Sequence, residues 1–138
     1  MITAVDTSVL LDVFGADPTF GARSARALRE CIAEGGVIAC EVVWAETGAS
    51  FPEPKAAVQA LERLRIDFSP LDSAAALIAG QAWRSYRKAG GSRRQRIIAD
   101  FSIGAHALAN ADRLLTRDRG FYRRYFKQLR VLDPSSDR

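Results

Sequence analysis

The chain has 138 residues, a hydrophobic fraction of 48% and a formal charge of +4, enough for one folded domain but not two, and too apolar for a disordered chain. No apolar run reaches bilayer length, and the start MITAVDTSVLLDVF lacks the basic flank of a signal peptide, so a soluble cytoplasmic protein that engages no membrane is expected. Two cysteines, Cys31 and Cys40, form no disulfide framework or zinc spacing and read as small buried side chains; the single His106, expected on a helix flank, rules out any mechanism needing a histidine cluster.

In chain order, Ile2 to Val5 is a short β-prone run ending on Asp6. Thr7 and Ser8 follow as helix caps for a segment from Val9 to Phe14, which Gly15, Asp17 and Pro18 break. From Ala22 to Glu34 the apolar residues Ala25, Leu28 and Ile32 recur at helical spacing, and Gly35 with Gly36 ends that helix. Val37 to Cys40 reads as a second buried strand, followed at once by a helix from Glu41 to about Ser50. Beyond Pro52 and Pro54, Lys55 to Leu64 is amphipathic, and Arg65 to Ser69 alternates as a third strand.

Asp72 or Ser73 caps a long helix that Gly90 and Gly91 stop. A basic loop, Ser92 to Arg96, leads into a helix running to about Ala111, and Leu114 with Leu115 forms a fourth strand. Gly120 to Phe126 reads as a short helix, Val131 with Leu132 as a last edge strand, and the stretch 134–138 as a polar, frayed tail. Short buried strands alternating with helices imply an α/β fold of residues 1–133, with a mostly parallel sheet covered on both faces. In such sheets ligands bind beyond the carboxyl ends of the strands.

The informative residues are acids in unexpected places. Counting by three and four from Asp100 gives Ile103, Gly104, Ala107, Leu108 and Ala111, which puts Asp100 on an apolar stripe. Val42, Ala45 and Ala49 share the side of Glu46, so Glu46 is also expected to face inward. Asp6 ends a strand covered on both faces, and Asp118 follows the fourth strand by a few residues. Arginine partners are the structural explanation for any one of these acids. Gathered together they would repel, since two unit charges about 4 Å apart cost roughly 4 kcal/mol at an effective dielectric near 20.

Such a cluster calls for a cation, and hard oxygen ligands without His or Cys suit Mg²⁺ or Mn²⁺. A metal of that kind serves phosphodiester hydrolysis. The hydroxyls of Ser8 and Thr116 stand near Asp6 and Asp118, to orient an acid, a water or a phosphate, with capping as the alternative for Ser8. Asp12, Glu41 and Asp112 read as structural, with a supporting place around the acid cluster as the alternative for Asp12 and Glu41, and Trp44 and Trp83 read as core or partner contacts. Basic residues flank the acids: Arg84, Arg87, Lys88, Arg93, Arg94 and Arg96 before them, Arg117, Arg119, Arg123, Arg124, Lys127 and Arg130 after Thr116. Of these, Arg93, Arg94, Arg96, Arg117 and Arg119 are the candidate contacts to an RNA strand.

These residues resemble a known family. VDTSVLLD resembles the first motif of PIN-domain ribonucleases, EVVWAE the second, ADFSIGAHAL the third and LLTRDRGF the fourth, in the same order across nearly the whole chain. The compact length is similar to that of VapC-type toxins of bacterial toxin–antitoxin pairs. The resemblance implies an α/β/α sandwich and a Mg²⁺- or Mn²⁺-dependent endoribonuclease, with the acidic quartet on Asp6, Glu46, Asp100 and Asp118. It places the hydroxyl before the fourth acid on Thr116 and the small polar residue after the first on Ser8, where many relatives have Asn. It also implies a homodimer and a cognate antitoxin whose tail occupies the active-site groove. Two other readings compete: another metal-dependent phosphoesterase, and a non-catalytic PIN-like module that binds RNA or protein. Serine at position 8, where an aspartyl-phosphate phosphatase would need a second acid, argues against that form of the first.

Overall fold

The computed structural model of the chain describes residues 1–92 and 96–135. Its elements alternate as expected: β1 (Thr3–Val5), α1 (Thr7–Phe14), α2 (Gly21–Glu34), β2 (Val37–Ala39), α3 (Glu41–Gly48), α4 (Pro54–Arg63) and β3 (Ile66–Phe68). Then come α5 (Ser73–Lys88), α6 (Ile98–Asn110), β4 (Arg113–Leu115), α7 (Arg119–Tyr125) and β5 (Val131–Leu132). Five strands form one sheet in the order β3-β2-β1-β4-β5, every neighbouring pair parallel. Parallel pairing explains the buried apolar residues of the central strands: Ala4, Val5, Leu114 and Leu115 are all at or below 2% exposed.

The order also fixes the two layers of an α/β/α fold. Successive crossovers from β1 through β2 to β3 run one way across the sheet, and the connection from β3 then returns to the far side of β1. With right-handed crossovers, α1 to α4 cover one face and α5 with α6 the other. The direction reverses between β1 and β4, and the crevice beyond the carboxyl ends of those two strands is where such sheets bind ligands.

Local chemistry sets the element ends. Asp72 caps α5 by accepting from the Ala75 N–H at 2.8 Å. Gly35 ends α2 with φ 155°, and a Cβ there would lie 1.9 Å from the Met1 carbonyl oxygen, so only glycine lets the N-terminus pass. Gly104 has a similar reason: a Cβ on it would lie 2.4 Å from the buried Phe126 ring.

Several expectations need correction. Thr7 and Ser8 are not caps but the first residues of α1; Asp6 holds the N-cap position without a side-chain cap. The fourth strand begins one residue earlier, at a buried Arg113 that donates to Thr3 Oγ1 at 2.9 Å and to Glu34 Oε2 at 2.8 Å. His106 is 1% exposed, not on an open flank, because α6 is buried on nearly every side from Phe101 to Ala107; its Nε2 lies 2.9 Å from Ser69 Oγ. Cys31 and Cys40 are buried, as their composition suggested. Trp44 and Trp83 pack against the core, Trp44 edge-on to Phe68 at 5.5 Å.

Burial holds the His106 pKa below its ordinary 6.5, against the opposing pull of Glu41 and Asp72. The unfolded chain therefore takes up a proton that the folded chain refuses, so this residue's contribution to stability falls as pH drops below 6.5. His106→Gln is expected to flatten the loss of stability between about pH 7 and pH 5, read as urea midpoints across that range. An unchanged slope would mean that other groups set it.

Candidate active site

The crevice between β1 and β4 is built around Asp6. Its backbone N–H donates to the Leu115 carbonyl at 2.9 Å, which extends the β1–β4 pairing and aims the side chain beyond the sheet. The carboxylate is 7% exposed. Thr116, at the end of β4 and fully buried, donates its hydroxyl to Asp6 Oδ2 at 2.7 Å. Ser8 donates to the same oxygen at 3.1 Å. Because Ser8 sits in the first turn of α1, its hydroxyl serves the acid and not a helix end.

Burial pushes the Asp6 carboxyl above the ordinary carboxylate value, and the charge of Glu46 adds to the push. Hydrogen bonds from Thr116, Ser8 and the Thr7 backbone pull the other way but do not outweigh burial. Among the described residues no ion pair reaches Asp6. Among the described residues the Asp6 carboxylate is thus held by hydroxyls and by no side-chain cation.

The other acids approach from three elements. Glu46 on α3 accepts from Thr7 Oγ1 at 2.7 Å, which ties α3 to the start of α1. It is exposed, contrary to the inward face expected for it. The reason is that α3 is apolar all round, so spacing cannot choose its face; Val43 and Thr47 turn to the core and leave Glu46 open. Asp100 is half-buried in the first turn of α6 and accepts from the Ile97 N–H at 3.0 Å, capping its own helix. Asp118 follows β4, receives a charged hydrogen bond from Arg96, and donates its N–H to Thr116 Oγ1 at 3.0 Å. Thr116 therefore bridges Asp6 and Asp118.

Tyr122, which the sequence reading missed, lies in the field of three of these acids. It is 2% exposed on α7. Burial holds its phenol well above the ordinary value, and the charges of Asp6, Asp100 and Asp118 all add to that rise. Only its place four residues after Asp118, one helical turn on, hinted that it would face the same crevice.

Among the described residues no three acids stand close enough to hold a metal ion as their side chains now lie. Glu46 bonds to Thr7 and Asp118 pairs with Arg96. The donor set still fits a hard divalent cation: all-oxygen, largely ionisable, and centred on a buried carboxylate that no described side-chain cation neutralises.

The basic residues divide. Arg93 and Arg94 lie outside the described residues. Arg96 stacks over Phe121 at 4.0 Å while it bonds to Asp118. Arg117 is occupied by Asp12, with Nε to Oδ2 at 2.6 Å and Nη2 to Oδ1 at 2.9 Å, and it lies over Phe20 at 4.1 Å. Arg119 pairs with Asp133 at 3.5 Å. Asp12 is thus structural, as are Glu41, which accepts from the Leu71 N–H at 3.0 Å, and Asp112, which accepts from the Ile2 N–H at 2.7 Å.

A family model described as PIN domain matches residues 3–127. Solved structures similar to the chain include VapBC2 from Rickettsia felis bound to a DNA fragment from its promoter, at 17% identity over 96% of this chain and 98% of that chain, with a TM-score of 0.74. VapBC-1 from nontypeable Haemophilus influenzae is 18% identical over 99% of this chain and 100% of that chain, with a TM-score of 0.74. VapC20 from Mycobacterium tuberculosis, a sarcin–ricin loop cleaving toxin, is 18% identical over 81% of this chain and 86% of that chain, with a TM-score of 0.53. A comparison with curated proteins found no match. Among the described residues no helix is long and apolar enough to cross a membrane.

Proposed function

The chain belongs to the PIN-domain family, and from that premise we propose that it is a metal-dependent endoribonuclease that cuts RNA phosphodiester bonds in the cytoplasm. The observation that carries this reading is the buried Asp6 at the turning point of the sheet, held by Thr116 and Ser8 with Glu46 beside it and no described cation on it. The likeness in fold to a sarcin–ricin loop cleaving toxin supports the same chemistry.

In this proposal Asp6, Glu46, Asp100 and Asp118 would hold Mg²⁺ or Mn²⁺. Bound there, the ion would supply Lewis acidity towards a phosphoryl oxygen and acidify a water. The chain's own residues have separate tasks. Thr116 fixes the orientation of Asp6 and, through the Asp118 N–H, the spacing between the two acids. Ser8 adds a second donor to the same Asp6 oxygen and so directs its other oxygen outward. Arg96 pairs with Asp118 and would meet a phosphate arriving there. Arg117 and Arg119 can take part in strand binding only beside the carboxylates they already hold.

The likeness to VapBC assemblies supports a further part of the proposal: that the chain is the toxin of a toxin–antitoxin pair, forms a homodimer and is held inactive by a cognate antitoxin. One observation favours the non-catalytic alternative, a PIN-like module that binds RNA or protein without cutting: no three described acids converge in the present side-chain arrangement.

The deciding experiment is cleavage of total cellular RNA by purified, antitoxin-free protein with Mn²⁺ and with EDTA. Discrete fragments that vanish with EDTA are expected. Absence of both cleavage and calorimetric Mn²⁺ binding would favour the non-catalytic reading, and cleavage that survives EDTA would remove the metal from the proposal.

A further inference from the structure

Beside the acids lies a pocket of about 480 Å³ lined by Tyr86, Arg96, Gly120, Phe121, Arg124 and Tyr125. We propose that it is a subsite for a backbone phosphate of the RNA strand next to the bond that is cut; the inference rests on the nuclease reading and names where its substrate is held.

Among the described residues the lining carries two guanidiniums and no carboxylate. Its floor is a cluster of rings in mutual contact: Tyr86–Phe101 at 5.4 Å, Phe101–Phe121 at 5.1 Å, Phe121–Tyr125 at 5.4 Å and Tyr86–Tyr125 at 5.6 Å. Tyr86, Phe101 and Phe121 are buried, so this floor is rigid. Both cations rest on it. The Arg96 carbon Cζ is 4.0 Å from the Phe121 centroid, and that of Arg124 is 5.4 Å from the Tyr125 centroid. A guanidinium laid against a ring keeps its N–H groups pointing outward in its own plane, and less freedom is lost when those donors meet a phosphate.

The Tyr86 hydroxyl donates to the Ser92 carbonyl at 2.6 Å and pins the chain where the basic segment begins. Gly91 packs flat on the same ring, since a Cβ there would lie 2.3 Å from it.

Two features point to RNA and away from an acidic peptide. Arg96 joins the pocket to the acid cluster, because the same side chain bonds to Asp118. A ligand in the pocket therefore lies directly beside the proposed scissile phosphate, as the neighbouring phosphate of one strand does. The pocket also offers mainly donors, which suits a phosphodiester that brings only acceptors; a peptide would bring N–H groups in need of acceptors.

The test is fluorescence anisotropy with a labelled single-stranded RNA of mixed sequence, with Ca²⁺ in place of Mn²⁺ so that binding is read on its own. Arg124→Gln is compared with Arg63→Gln, which removes the same charge from exposed α4, packed against β3 at the opposite edge of the sheet. Arg124→Gln is expected to weaken binding about fivefold near physiological salt and to lower the slope of log K against log salt by about 0.7, while Arg63→Gln does neither. RNA binding by the wild type that Arg124→Gln leaves unchanged would overturn the subsite and spare the nuclease reading. Equal weakening by both variants would mean a general charge effect and would also overturn it. A wild type that binds poly-glutamate through Arg124 but no RNA would overturn the subsite and the nuclease reading together.

Discussion

Asp6→Asn is expected to lower Mn²⁺-dependent RNA cleavage by about a thousandfold or more, the scale seen when a central charged group is removed from a preorganised site. The substitution keeps the shape of a side chain that is almost fully buried and can still accept from Thr116 and Ser8. The fold should survive, and a second readout separates chemistry from unfolding. The Asp6 pKa is raised on folding, by burial first and then by Glu46. Its ionisation therefore destabilises the fold as pH rises through the interval between the unfolded and folded values, and that loss persists at neutral pH.

In EDTA the Asn variant should accordingly be more stable than the wild type near neutrality, and the difference should close at pH below the unfolded value. Added Mn²⁺ should stabilise the wild type by mass action and leave the variant unmoved. Urea midpoints with and without Mn²⁺ would check this. A variant that still cleaves, or that gains as much stability from Mn²⁺ as the wild type, would remove Asp6 from the centre.

Thr116→Val should lower cleavage by about ten- to a hundredfold, the range for losing a group that orients a metal-binding side chain. Valine matches threonine in shape, so what disappears is the hydroxyl that donates to Asp6 and accepts from the Asp118 N–H. Both acids lose the link that sets their spacing. One buried and one part-buried hydrogen bond go with it, a cost of about 1–3 kcal/mol in stability. Thr116→Ser restores the hydroxyl and should recover most of the cleavage and the Mn²⁺ affinity, which a purely steric role for Thr116 would not produce. Single-turnover cleavage together with calorimetric Mn²⁺ titration distinguishes the two. A valine variant with wild-type values in both would make Thr116 a packing residue only.

The fold was largely legible because its signals are local. Wholly apolar runs such as Ala4–Val5 and Leu114–Leu115 mean strands covered on both faces, and Gly35 or Asp72 mark helix ends by their own backbone chemistry. Strands alternating with helices in turn imply a parallel sheet, and a parallel sheet implies a crevice at its carboxyl end. Asp6 and Asp118 were visible as candidates for that crevice because each stands just past a strand.

What the local signals could not reach was the choice of partner. Periodicity identifies a buried face only where the opposite face is polar. On α3, with apolar residues all round, it put Glu46 inside, whereas packing of Val43 and Thr47 leaves it exposed. On α6, buried on nearly all sides, it left His106 on a flank.

Pairings between distant positions carry no periodic trace at all. Arg117 is committed to Asp12 across 105 positions, and Arg113 to Glu34 across 79. Nor does sequence spacing show that Tyr122 lies in the field of three acids, or that Arg96 joins Asp118 to an aromatic-floored pocket. The sequence by itself determined the order of elements, the parallel sheet and the residue types at its mouth, since each follows from chemistry within a few neighbouring residues. The tertiary structure alone decided which acids are buried, which are open and which are already neutralised, because burial and ion pairing depend on elements that meet only after the sheet has closed.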